Sequence, residues 1–165
     1  MEEKSKITQK EETINEKDGS VMVYIPTGIF LMGNEKNSVS VDAFYIDKFP
    51  ITNDQYKKFM VETNYVEPAF WKDKKFNNPD QPVVGVNWDD AVAYANWAEK
   101  KLPEEKEWEK ASRGIDGREY PWGNMKPNQS LAVFDLDISI GSPTNVGTHL
   151  AGVSPYGCYD MAGNI

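Results

Sequence analysis

The residues able to do chemistry are few and of limited kinds. The sequence holds one cysteine, Cys158, and one imidazole, His149. Cys158 lies in Pro155-Tyr156-Gly157-Cys158-Tyr159-Asp160, a turn-like setting. A nucleophilic thiol needs a cationic or basic neighbour to lower its pKa; the sole imidazole, His149, stands nine residues earlier, near enough to be adjacent but with nothing in the sequence that pairs the two. The residue reads as a small buried side chain. His149 alone builds no metal centre, because a facial-triad iron site needs two histidines and a carboxylate. It reads as a surface or hydrogen-bonding residue. With one cysteine and one histidine, the chain excludes an internal disulfide framework, a Cys/His zinc site and a dithiol redox couple of its own.

Carboxylates are abundant, but their spacing is not that of a catalytic pair. Asp89-Asp90 open a helix, where the macrodipole accounts for them. Glu104, Glu105, Glu107 and Glu109 alternate with Lys106 and Lys110 as a solvated helical face would. Asp135, Asp137 and Asp160 lie among Gly and Asn in coil. Two readings stay open for them: calcium ligation, since loops present carboxylates and carbonyls together, and ordinary turn chemistry. Gly123-Asn124 and Gly163-Asn164 are turn dipeptides. No GxGxxG or GxxxxGK[ST] motif is present, so nucleotide binding has no support.

The elements that must position these residues follow from patterning. Met1 to Gly19 carries six acids and four lysines with little apolar content, and reads as a flexible lead-in. Val21 to Ile25 is a buried strand, Gly28 to Gly33 its hairpin partner, Asn34 to Ser40 a polar loop, and Val41 to Phe49 a third strand. Thr52 and Gln55 form a capping box for a helix that buries Tyr56, Phe59 and Met60. A second helix from Asn87 places Trp88, Ala91, Val92, Ala95 and Ala98 on one face. A third, opened by Pro103, turns Trp108 and Ala111 inward and stops at Gly114. Beyond it, recurring Gly and Pro favour irregular structure. Phe70, Trp71 and Phe76, inside the long stretch between the first two helices, predict an ordered and packed loop.

Length and composition set the class. The 165 residues suffice for one domain with a real core, and 12% aromatics argue against general disorder. A net charge of −8 disfavours polyanions, so no nucleic-acid partner is expected. No apolar run reaches the roughly 18 residues needed to span a bilayer, and no signal-peptide core is present. The chain reads as cytoplasmic, with no membrane partner. The fold class is α+β.

A more specific reading comes from motifs in order. Residues 23–33, VDAFYIDKFPITNDQYKKFM, PVVGVNWDDAVAYANWAEKKLPEEKEWEKASRG, YPWGN and SPYGCYDMAGNI together resemble the formylglycine-generating enzyme (sulfatase-modifying factor) family. The resemblance implies a C-type-lectin-like fold over residues 20–165, low in regular secondary structure, with Trp88, Trp97, Trp108 and Trp122 as core and loop anchors. It also implies a parent activity: oxidation of a sulfatase cysteine to formylglycine by copper, dioxygen and two cysteines downstream of the AGN motif. That segment has no counterpart here, Cys158 falls at a variable family position, and Ala95 stands where some relatives carry a structural cysteine. No catalytic residue is therefore assigned, and copper is expected only if the cysteine segment is supplied.

By the same resemblance Asp160 (side chain), Gly163 and Ile165 (carbonyls) match a calcium site. Val133 replaces an asparagine of a second one, so calcium binding is expected to be weak. Two functions compete: a partial, C-terminally truncated oxidase domain inactive by itself, or a non-catalytic module binding a protein or peptide ligand. The ligand surface of the latter would be Tyr65, Phe70, Trp71 and Phe76. A sulfoxide synthase of the ergothioneine type fails on the single histidine. Lacking the family's last strands, the domain should expose apolar surface and a strand edge.

Overall fold

The computed structural model describes residues 11–135 and 141–165. Asp137 and the first ten residues of the expected lead-in lie outside them. Five strands and three helices alternate with long loops: β1 (Glu12–Ile14), β2 (Val21–Ile25), β3 (Gly28–Met32), β4 (Asn37–Val41), β5 (Phe44–Asp47), α1 (Asn53–Thr63), α2 (Trp88–Trp97) and α3 (Glu105–Arg113). After α3 the only helical element among the described residues is a 3-10 turn at Leu150–Gly152. The α+β class and the irregular C-terminal third are as the sequence implies.

The sheets correct the hairpin reading. β2 is the centre of an antiparallel sheet ordered β1-β2-β5, and β3 pairs instead with β4 in a second sheet. The cause is at the corner between β2 and β3. The carbonyls of Pro26 and Gly28 turn away to accept from Lys110 Nζ, at 2.5 and 3.1 Å, so the chain bends from one sheet to the other. The polar stretch 37–41 is likewise a strand, because β3 offers it a ladder from Gly28–Val41 to Met32–Asn37. The lead-in is also shorter than expected. Residues 12–14 add β1 to the sheet, Asp18 is buried, and the Asn15 amide donates to Ala98 O.

Helix α1 follows its pattern. Thr52 and Gln55 cap it reciprocally, and Tyr56, Phe59 and Met60 are buried. α2 starts at Asn87, whose side chain accepts from Asp90 N–H. Its inner face is Tyr94, Ala95 and Ala98, while Trp88 stands 71% exposed. α3 is rotated from the expected orientation. Ala111 is buried as expected, but Glu107 and Lys110 share its side, and Trp108 is 44% exposed. Residues i and i+4 share a helix face as readily as i and i+3. Burial of Lys110 follows from the two carbonyls it must satisfy, so the acidic and basic residues of α3 are not one solvated face. Glu109 too is engaged, accepting from Gly33 N–H and from Arg113. Trp97 packs in the core and Trp122 stacks on Tyr120 while donating to Met125 O. These two are anchors; Trp88 and Trp108 are not.

Two apolar clusters result. One joins Val23, Ile25, Ala111, Cys158 and Met161, with Phe44 and Ile46 against it. The other joins Tyr56, Phe59, Met60, Tyr94 and Ala98, with Tyr65, Trp71 and Trp97 packed on it. No helix among the described residues is long and apolar enough to cross a membrane.

Candidate binding cleft

The two clusters do not close on each other. Between them runs a cleft of about 1020 Å³. Phe44 and Ile46 of β5 and Met161 line it from one side, Tyr56 and Tyr94 from the other. The alanines of α2 keep it open: Ala91 and Ala95 line it where larger side chains would fill it. Trp108 and Ile165 also line it while exposing 44% and 74% of their surface. Ring packing fixes the second wall, with Tyr56 stacked on Tyr94 at 5.7 Å and edge-on to Phe59 at 5.2 Å.

One end of the cleft is polar. Lys100 Nζ donates to Asp18 Oδ2 and Asp47 Oδ1, each at 2.7 Å, and to Ser20 Oγ at 2.7 Å. Tyr94 Oη donates to Asp18 Oδ2 at 2.8 Å, and Ser20 N–H to Asp18 Oδ1 at 2.9 Å. Burial pushes the Asp18 carboxyl up, but the hydrogen bonds from Lys100, Ser20 and Tyr94 together hold it below its ordinary value. Burial, and then the bond to Asp18, push the Tyr94 phenol far up, so it stays protonated. Two carboxylates share one ammonium here, leaving one negative charge in excess. Tyr56 adds a second polar feature: its hydroxyl is buried without a partner among the described residues. Buried polar groups are nearly always satisfied, so such a hydroxyl calls for an explanation.

The sequence-derived candidates are dispersed around this cleft. Cys158 is 0% exposed, packed against the first cluster, with its N–H donating to Ser154 Oγ; the buried-side-chain reading holds. His149 is half-buried, and its Nδ1 has no partner among the described residues. Asp160 lies on the cleft wall and accepts from Gly147 N–H at 2.7 Å. Burial pushes its carboxyl up against the opposing pull of that bond and of His149. Gly163, at φ +97°, is required where it stands, since a Cβ there would run into the Val133 carbonyl oxygen. That carbonyl accepts from Asn164 N–H, and the Asn164 side chain is held by Thr144. Asp135 occupies a left-handed turn conformation and joins no cluster of metal-ligating side chains; among the described residues no such cluster of three exists.

The four aromatic residues expected to form a ligand surface do not make one open face. Phe76 is buried, Tyr65 and Trp71 pack half-buried on the second cluster, and Phe70 alone is 50% exposed. The loop carrying them is ordered, as its aromatics imply: the Asn53 amide donates to Phe76 O and Asn78 O at 2.8 and 2.9 Å. What sequence reasoning missed is the cleft itself. Its polar end joins residues 82 positions apart, and nothing local marks Asp18, Asp47 and Lys100 as neighbours. The run of alanines in α2 was the one readable signal, since small residues leave room beside a helix.

Comparison with known proteins fits this architecture. The sulfatase-modifying factor enzyme 1-like domain matches residues 8–165. The chain is 28% identical over 207 residues to the formylglycine-generating enzyme of Bos taurus, with 87% of this chain and 55% of that protein covered. It is 31% identical over 208 residues to the inactive C-alpha-formylglycine-generating enzyme 2 of Bos taurus, covering 87% of this chain and 68% of the relative. Among solved structures, PvdO from Pseudomonas aeruginosa superposes with a TM-score of 0.70 at 19% identity, over 92% of this chain and 70% of that one. The chain thus spans between about half and two thirds of the curated relatives it matches. With the lectin-like architecture and the extent of the domain match together, the chain belongs to the sulfatase-modifying factor, or formylglycine-generating enzyme, family.

Proposed function

We propose that this chain supplies the scaffold of a formylglycine-generating-type domain and does not by itself oxidise cysteine. The observation that carries the reading is its one thiol, wholly buried against Val23, Ile25 and Ala111. Thiolate chemistry at copper needs accessible sulfur ligands, and 165 residues with one inaccessible cysteine do not fit that metal. Copper enters only where a segment bearing a cysteine pair is supplied. The test is direct. Purified chain, copper(I) and dioxygen are incubated with a cysteine peptide of sulfatase type and analysed by mass spectrometry. The thiol is expected to survive; conversion to the aldehyde overturns the reading.

A second reading, a non-catalytic module that holds a protein or peptide, is favoured by the cleft of about 1020 Å³. Pockets of this size with mostly apolar walls and a few placed polar groups are the usual form of binding sites. Phe70 and Trp71 remain a smaller candidate contact, and Trp71→Ala should weaken partner retention if that loop takes part.

Calcium belongs to the same proposal. Asp160, with the carbonyls of Gly163 and Ile165, would hold it. One carboxylate, already accepting from Gly147, makes a poor calcium donor set. Affinity at about the millimolar end follows. A calcium-dependent rise in melting temperature that Asp160→Asn removes would support it, and its absence at about 10 mM calcium would refute it. We also read the protein as cytoplasmic, in keeping with its cysteine usage.

A further inference from the structure

We propose that the Asp116–Gly117 linkage is a site of spontaneous backbone modification, a succinimide that opens to isoaspartate, and that Arg118 guards it by gripping the Asp116 carboxylate. The inference is independent of both functional readings above.

The sequence holds two Asp-Gly pairs, Asp18–Gly19 and Asp116–Gly117. Such a pair cyclises readily, because glycine puts no side chain beside the attacking nitrogen. The Gly117 nitrogen attacks Cγ of the protonated Asp116 carboxyl. The N–Cγ bond forms, a Cγ–O bond breaks, and the hydroxyl leaves as water with the amide proton. Water then adds at either carbonyl of the five-membered ring. Opening one C–N bond restores aspartate; opening the other routes the main chain through the side chain and lengthens it by a methylene. The sequence of steps uses water and no oxidant, reductant or other co-reactant.

The two pairs stand differently in the fold. The Asp18 side chain has no exposed surface, and Lys100, Tyr94 and Ser20 N–H hold its oxygens. Asp116 lies in the turn after α3 with 56% of its side chain exposed. Arg118 grips it there: Nε donates to Oδ1 at 2.9 Å, Nη2 to Oδ2 at 2.7 Å, and the Arg118 N–H to Oδ1 at 3.3 Å. A fork closed on both oxygens fixes the plane of the carboxylate, so its carbon is not free to turn onto the Gly117 nitrogen. The guanidinium also holds the carboxyl below its ordinary 3.8, and the ionised form carries no leaving hydroxyl. Arg118 is itself anchored, with Nη1 donating to Pro121 O at 3.2 Å and its carbonyl accepting from Arg113 Nε at 2.6 Å. The glycine cannot be exchanged to remove the hazard. Gly117 sits at φ +70°, where a Cβ would lie 3.1 Å from Leu31 Cδ1 and 3.4 Å from Lys36 Cδ. The turn needs glycine after Asp116, and protection falls to Arg118. Modification would displace the Arg118 carbonyl from Arg113, whose partner Glu109 holds Gly33 N–H at the end of β3.

The experiment keeps the folded 165-residue protein at neutral pH in oxygen-18 water and then digests it in ordinary water. Each succinimide that reopens leaves a heavy oxygen at its aspartate, read by mass spectrometry of the peptides. Electron-transfer fragmentation tells isoaspartate from aspartate. Label should accumulate at Asp116 and not at Asp18 in the folded protein, and at both in denaturant. Arg118→Gln should label Asp116 about tenfold faster, the rate equivalent of one hydrogen bond to a charged group. Arg118→Lys, which keeps the charge and gives up the fork, should also outpace the unsubstituted chain. An unlabelled Asp18 in each variant shows that its fold is intact. Equal labelling of Asp116 with arginine, glutamine or lysine at position 118 overturns the guard. No label at Asp116 in any folded form overturns the site. Equal labelling of Asp18 and Asp116 in the folded, unsubstituted chain means that the dipeptide and not the fold sets the rate, and overturns the inference as well.

Discussion

At the scale of single residues, two lysines carry opposite lessons about burial. Lys100 is largely covered, its side chain 9% exposed, with two carboxylates and a hydroxyl around its ammonium. Removing it leaves the Asp18 carboxylate, which has no exposed surface, without its cation. Breaking a buried pair in this way costs about 3–5 kcal/mol, so Lys100→Met should unfold at markedly lower denaturant in equilibrium titrations. The sign with pH follows from Asp18. Its folded pKa lies below the ordinary value of 3.8, so its stabilisation is present above that value and is lost as pH falls through the folded pKa. In Lys100→Met this acid-side transition should move to higher pH. Lys110 is the reverse case. Among the described residues it has carbonyls but no carboxylate within hydrogen-bond reach, and burial holds its pKa below 10.5. The unfolded chain then binds more protons, so stability should rise with pH between the depressed value and 10.5. Lys110→Met, tested by denaturation at two pH values, should abolish that slope and cost about 1–3 kcal/mol from the two orphaned carbonyls.

At the scale of elements, legibility depended on whether the deciding contacts are local. The capping box of α1 and its Tyr56, Phe59 and Met60 stripe lie within one helix, and all are found as read. Thr52→Ala should therefore cost about 1 kcal/mol, measurable by chemical denaturation; an unchanged midpoint would remove the cap from the stability account. The corner at Pro26–Gly28 was illegible for the converse reason. A two-residue link between apolar strands reads as a hairpin, yet the decision between one sheet and two is made by Lys110, 84 positions from Pro26. The orientation of α3 failed in the same way. Trp108 reads as inward on its own hydrophobicity, whereas the polar Lys110 and Glu107 are inside because partners from the Pro26–Gly28 corner and from Lys101 and Glu104 meet them there. Of the candidate site, the turn holding Asp160 and Gly163 was legible through its motif, and the cleft beside it was not.

At the scale of the molecule, the consequence of two clusters that stop short of each other is an exposed apolar interior. A monomer of this size normally buries such surface, and contiguous patches beyond a few hundred Å² mark binding or aggregation. The cleft adds the outer edge of β5, which pairs with no strand among the described residues, and such an edge is the usual starting point for edge-to-edge association. The unliganded chain should therefore enhance the fluorescence of a hydrophobic dye and self-associate as concentration rises. Both effects should fall in Ala91→Trp, which occupies the cleft, and stay unchanged in Phe70→Ser, which removes an exposed aromatic on the separate 65–76 loop. Dye binding that follows Phe70 instead would place the adhesive surface on that loop. A dye-negative monomer with one cooperative melt would mean that the two clusters close on each other in solution, with α2 moved toward β5.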